Sequence, residues 1–180
     1  HVLLGSREGK RLGDLQLIDT MVHDGLWCCF NDRHMGNLAE KTALDFEVTR
    51  EEQDEFAFLS HQRASMATSE GKFRDEIVPV PVRKRDGTIL VENDEGPRAS
   101  ASIANLSQLK EAFPPGLTVT AGNSSQISDG AAALVIGSEM KAKSLDLEPV
   151  ARIDDYVWVA NDTACLFEAP ASAVRELLQR

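Results

Sequence analysis

The chain has 180 residues, 42% apolar and 27% charged, enough for a packed core in one domain or one and a half. Its 29 acidic against 19 basic side chains leave a net charge of −10, which repels polyanions at long range and argues against nucleic acid as a partner. No apolar run reaches the roughly 18 residues of a bilayer span, so no membrane insertion is expected. The three cysteines, Cys28 and Cys29 adjacent and Cys165 apart, make no disulfide framework and point to a reducing, intracellular, cytoplasmic setting.

Residues 1–20 carry Gly5, Gly9 and Gly13 among charges and read as a loop or extended excursion. Residues 36–46, with Leu38, Ala39, Ala43, Leu44 and Phe46 apolar, predict a short helix. Thr49-Arg50-Glu51-Glu52 has the form of a capping box and predicts a second helix, with Phe56, Ser60, Arg63, Ala64 and Ala67 at helical spacing and Gly71 as its stop. Residues 76–82 are β-branched but interrupted by Pro79 and Pro81, which fits an edge strand or an arm. A basic turn over 83–87 and a returning strand over 88–91 follow. Residues 103–113 have helical spacing, closed by Pro114-Pro115-Gly116.

Residues 118–125 are small and polar, suited to a backbone lying close to a ligand. Residues 131–136 are apolar without alternation, the pattern of a strand covered on both faces. A helix over 138–145, a strand over 150–159 and an amphipathic helix over 170–180 complete the chain. The change of character near residue 128 predicts an irregular α+β module over 1–128 and a β-α-β-α stretch over 129–180. A strand covered on both faces needs partners and layers above and below, so these 180 residues alone are not expected to behave as a monomer. Cys28 and Cys29 lack partners at metal-ligand spacing and read as packing residues. Arg83-Lys84-Arg85 reads as a solvated hairpin tip, and no nucleophile elbow surrounds Ser125.

Four blocks stand in order along the chain. They are Asp24-Gly25-Leu26 leading into His34-Met35-Gly36, then Arg50-Glu51-Glu52-Gln53-Asp54, then Glu76-Ile77-Val78-Pro79-Val80. The last is Thr118-Val119-Thr120-Ala121-Gly122-Asn123-Ser124-Ser125, closing on Asp129-Gly130-Ala131-Ala132. Together they resemble the thiolase family, over essentially the whole chain. The resemblance implies an α/β fold with a layered αβαβα core, represented here mainly by its inserted α+β cap (loop) domain over 1–128. Residues 129–180 would then be the end of the N-terminal half of the core and the start of the C-terminal half. It also implies an acyltransferase that condenses or thiolytically cleaves 3-ketoacyl-CoA thioesters, working as a homo-oligomer, dimer or tetramer. Residues 5–18 match the excursion that holds tetrameric members together. Coenzyme A and acyl-CoA enter as substrates, with no covalently bound cofactor. The family's two cysteines, histidine and asparagine motifs are not in this sequence, so no catalytic residue is assigned, and the chain by itself is expected to turn nothing over. A non-catalytic module for coenzyme A binding or oligomerisation is the alternative.

Carried over by the resemblance, Leu26, His34 and Met35 would flank the pantetheine and acyl group. Arg98 and Phe113 would border the adenine end, and Ala121, Ser125 and Ile127 would line the pantetheine track. A mostly apolar slot with a few hydrogen-bonding groups suits pantetheine, and a planar cation suits adenine or phosphate. His34 by itself is more commonly a hydrogen-bonded structural histidine. The sequence departs from the family pattern at Leu38-Ala39-Glu40-Lys41, at Asn105, at Gln126 where glycine is usual, and at Leu166-Phe167-Glu168-Ala169-Pro170, where Phe167 would reshape the acyl pocket.

Overall fold

A computed structural model describes residues 1–5, 7 and 9–180; Ser6 and Glu8, within the excursion expected over 5–18, lie outside the described residues. The chain divides into His1–Gln126 and Ile127–Arg180.

In the first unit, β1 (Val2–Leu3) pairs antiparallel with β2 (Leu17–Ile18), so the excursion expected as a loop is closed by a short ladder. A π-helical turn at Met21–Leu26 leads into the hairpin of β3 (Trp27–Cys28) and β4 (Arg33–His34). The two expected helices follow as α1 (Met35–Asp45) and α2 (Arg50–Ser69). Each start has a local cause. His34 Nδ1 accepts from Gly36 N at 3.0 Å. The Thr49 side chain accepts from Glu52 N, while the Glu52 carboxylate accepts from Thr49 N at 2.8 Å. That is the reciprocal box the sequence predicts, and it satisfies amides that a helix start leaves without partners. Gly71, at φ +71°, ends the helix in the left-handed region that glycine adopts without strain.

β5 (Val80–Lys84) and β6 (Gly87–Val91) form an antiparallel ladder from Val80↔Val91 to Lys84↔Gly87. The basic turn is therefore narrower than expected: Arg83 and Lys84 belong to the strand, and only Arg85 and Asp86 turn. Of the stretch 76–82 expected to be extended, residues 76–79 with Pro79 lie outside the ladder; Pro81 lies within it, tolerated because each of two strands has a free edge.

The helix expected over 103–113 stops early, as α3 (Ile103–Leu106). Two competing sets of bonds explain this. Glu111 bridges Thr120, and Ala112 N donates to Val119 O at 2.9 Å, an extended pairing a continuing helix would forbid. The carbonyls of Leu106 and Leu109 instead accept from Arg50 Nη2 at 2.7 and 3.1 Å.

The buried apolar residues Cys28, Leu38, Ala43, Leu106 and Val119 are few, and two polar residues, Asp54 and Thr120, are buried with them. Asp54 is 1% exposed. Its Oδ2 accepts from Arg50 Nε at 2.8 Å, one helical turn back, and its Oδ1 accepts from Asn123 Nδ2 at 3.0 Å. Asn123 in turn donates to Thr118 O at 2.9 Å and accepts from Thr120 N at 2.7 Å. One carboxylate thus ties α2 to the turn after α3, through Arg50, and to residues 118–123, through Asn123.

In the second unit, α4 (Glu139–Ser144) is capped by Ser138, whose hydroxyl accepts from Lys141 N at 3.2 Å. A 3-10 turn at Thr163–Glu168 leads into α5 (Ala169–Leu177), with proline in its first turn. The strands expected over 131–136 and 150–159 do not form. Among the described residues neither stretch has a ladder partner, and Val135 and Val150 are fully exposed. An apolar run becomes a covered strand only when neighbouring strands take its amides and carbonyls.

Replacing Asp54 by alanine leaves the Arg50 guanidinium largely buried without its partner. We expect a loss of about 3–5 kcal/mol of stability, with Asp54→Asn costing less because Asn retains an acceptor oxygen. Denaturant midpoints of the complete protein measure both; a cost under about 1 kcal/mol for Asp54→Ala would show that the network is dispensable.

Candidate functional site

The segment over 118–126 is fixed from two sides. Asp54 holds it through Asn123, and Glu40 of α1 holds its start. Glu40 Oε1 accepts from Val119 N at 2.7 Å and Thr118 N at 3.0 Å, and Oε2 accepts from the Thr118 hydroxyl at 2.8 Å. Burial acts to raise the Glu40 carboxyl, but the amides of Val119 and Thr118 and the Thr118 hydroxyl outweigh it, so the carboxyl sits below its ordinary value. Further along, the Thr120 hydroxyl accepts from Gly122 N at 3.1 Å, and the Ser124 hydroxyl donates to Thr120 O at 2.6 Å. At Gly122 a Cβ would collide with the Leu106 and Leu109 side chains at 2.6 and 2.5 Å, so the backbone lies flat on them only because glycine stands there.

This flattened segment is one wall of a cavity of about 600 Å³. Ala121, Gly122, Ser124 and Gln126 form that wall, and Asn105, Leu106 and Leu109 the floor beside it. Ser60, His61 and Ala64 face in from α2, and Gly96 to Arg98 with Ser100 to Ser102 close the far side. Small, hydroxyl-bearing and amide side chains dominate, with Arg98 as the fixed positive charge in the lining.

The expected site residues fall into groups. Arg98 and Ala121 share the cavity. His34 and Phe113 meet elsewhere, their rings stacked with centroids 4.5 Å apart at 24°. Asn37 Nδ2 donates to Phe113 O at 3.0 Å, which seats the phenyl ring on the start of α1. Leu26 and Met35, both half-buried, flank the paired residues Trp27 and His34 at the open end of the β3–β4 hairpin. Ser125 is exposed, one residue beyond the cavity-lining Ser124. Ile127, also exposed, belongs to the second unit. Phe113 therefore sits against His34 and the start of α1, and is not among the residues lining the cavity with Arg98.

The sequence pattern marks Ser60 only as a helix position, and marks neither His61 as a cavity residue nor Glu40 as a ligand of the motif segment. The spacing of residues 60, 61 and 64 on one side of α2 was the available signal. Cys28 is buried in the β3–β4 hairpin, where the Asn31 side-chain amide at 3.2 Å and the Asn31 main-chain amide draw its thiol below the ordinary value, against burial and with help from the Phe30 amide. No disulfide links cysteines among the described residues.

The Glu40 bonds set a pH dependence. A carboxyl lowered in the folded state stabilises it fully above the unfolded value, about 4.3, and that stabilisation is lost as pH falls through the folded value. The amide proton shifts of Thr118 and Val119 should therefore titrate together, with a midpoint below the ordinary glutamate range, and Glu40→Gln should abolish the titration. A midpoint at or above that range would contradict the assigned bonds.

Residues 2–140 match the family described as "Thiolase, N-terminal domain". The chain is 46% identical over 180 residues to a probable acetyl-CoA acetyltransferase of Escherichia coli, covering all of this chain and 46% of that protein. It is 46% identical over 181 residues to an acetyl-CoA acetyltransferase of Pseudomonas aeruginosa, again covering 46% of the relative. Among solved structures, acetyl-CoA acetyltransferase from Syntrophomonas wolfei superposes with a TM-score of 0.87 at 34% identity, over 99% of this chain and 45% of that one. The Bacillus anthracis acetyl-CoA acetyltransferase gives 0.84 at 40% identity, over 94% and 43%. The chain thus spans about half the length of the curated relatives it matches, its fold is α/β and thiolase-like, and it belongs to the thiolase family.

Proposed function

We propose that this chain supplies the coenzyme A-binding part of an acyltransferase that condenses or thiolytically cleaves 3-ketoacyl-CoA thioesters. Residues 1–128 are its cap domain, residues 129–180 part of the layered core, and the complete protein is a cytoplasmic homo-oligomer, a dimer or tetramer. The observation that carries the reading is the cavity beside residues 118–126. That wall is built from the motif segment itself, pinned by Glu40 and Asp54, and it faces Arg98 across small polar groups. Such a cleft suits a long flexible ligand with amides along its length and phosphates at one end. Ala121 lines the pantetheine track, with Ser125 and Ile127 following it in the chain, and Arg98 serves the nucleotide. Phe113 joins Leu26, His34 and Met35 around the pantetheine terminus and acyl group. The relatives' names support acyl-CoA as the substrate class. No helix among the described residues is long and apolar enough to cross a membrane.

The test is charge reversal at Arg98 in the complete protein. Arg98→Glu should raise the dissociation constant for coenzyme A roughly tenfold or more, as expected for losing a charged hydrogen bond of about 1.5–3 kcal/mol, and leave pantetheine nearly unaffected. Equal weakening of both ligands by calorimetry would mean that Arg98 supports the fold, and the nucleotide assignment would fall.

A further inference from the structure

We infer that His61 is a positioning residue for the nucleotide end of coenzyme A, acting through the main chain of Arg98; this rests on the coenzyme A reading above. Residues 92–102 carry no helix or strand, and within them Ala101 N donates to Arg98 O at 3.0 Å. A cation on such a stretch is aimed only as well as its backbone is held, because a guanidinium on a long side chain adds its own freedom. One hydrogen bond ties this backbone to α2, and one side chain lies beside it. Arg98 N donates to His61 Nδ1 at 3.2 Å. On the other side the Gln126 amide lies against Gly96, occupying the space where a Cβ would collide with it.

Both contacts lead back to rigid parts of the fold. His61 sits in the middle of the 20-residue helix α2, whose start is fixed by the Thr49–Glu52 box and the Arg50–Asp54 pair. Gln126 ends the segment that Asp54 pins through Asn123. To accept at Nδ1 the imidazole must be neutral there, which puts its proton on Nε2. His61 lines the same cavity as Arg98, so it fixes the cation from within the site.

Asparagine places its Oδ1 as many bonds from the backbone as Nδ1 of histidine and has similar helix propensity, so it tests the acceptor separately from the ring. Coenzyme A and pantetheine are titrated calorimetrically into the complete protein as wild type, His61→Leu, His61→Asn, Arg98→Ala and the Arg98→Ala/His61→Leu pair. His61→Leu should weaken coenzyme A about three- to tenfold, the loss of one neutral hydrogen bond. Pantetheine should be unchanged, His61→Asn should restore affinity, and the double variant should bind coenzyme A no worse than Arg98→Ala, since His61 acts through Arg98. His61→Ala replaces His61→Leu if the latter does not fold. If Arg98→Ala weakens coenzyme A while His61→Leu does not, the inference is wrong and the coenzyme reading stands. If His61→Leu weakens both ligands alike and Asn does not rescue it, His61 is merely structural and the inference is again overturned. If neither Arg98→Ala nor His61→Leu changes coenzyme A binding, the nucleotide assignment fails and takes the inference with it.

Discussion

A single carboxylate, that of Asp54, sits where three parts of the first unit meet. Burying it is unfavourable unless each oxygen finds a strong donor, and here each does: Arg50 Nε on one, Asn123 Nδ2 on the other. The two donors differ in kind, and that difference does the structural work. The guanidinium is a fork with donors to spare, so Arg50 also takes the carbonyls of Leu106 and Leu109 and ends α3. The carboxamide has donor and acceptor on one carbon, so Asn123 closes a tight loop over 118–123 while holding Asp54. The shape of the cavity wall follows from these choices.

Glu40 repeats the principle from the other helix. An acceptor at the middle of α1 takes two consecutive amides, which fixes the backbone of Thr118 and Val119 as extended chain entering the motif. Two acidic residues on two helices therefore hold one backbone segment by its own N–H groups and by a side-chain amide. With so few buried apolar residues in this unit, orientation of the site depends on these directional bonds more than on packing. Polar bonds specify geometry in a way that an apolar contact of the same area does not.

What could be read in the sequence is what is decided locally. The capping box at Thr49 and Glu52, the stop at Gly71 and the proline-bearing hairpin all rest on residues within a few positions of one another, and they form as expected. The misjudged elements are settled at long range. Residues 107–113 keep helical spacing, yet Val119, Thr120 and Arg50 compete for their backbone groups, and no local pattern records that. The runs over 131–136 and 150–159 have strand composition, but a ladder needs a second strand, which composition does not supply. In the site, the block Arg50–Asp54 and the block over 118–125 were both visible as motifs. That they bond to each other was not, because 69 residues separate Asp54 from Asn123.

The same distinction explains why the expected ligand residues split into two groups. Phe113 lies eight residues before Ala121 and five before Thr118, so sequence proximity groups it with the cavity wall. The chain between them turns, however, and Asn37 takes the Phe113 carbonyl while His34 stacks on its ring. Gly36 makes this possible: a Cβ there would run into the phenyl ring, so any other residue would push Phe113 off α1. The histidine is committed twice over, its Nδ1 to the Gly36 amide and its face to the ring. What remains for a ligand at this end is the Nε2 edge of the imidazole and the flank of Phe113, with Leu26 and Met35 adjoining. An apolar surface with one nitrogen suits a thioester's terminus better than a nucleotide. The cavity with Arg98 differs in carrying a cation and several hydroxyl and amide groups among its leucine and alanine side chains. Under the proposed coenzyme A reading, these two surfaces would meet different ends of one ligand, and the Glu40 and Asp54 bonds would fix the backbone of the wall beside Arg98.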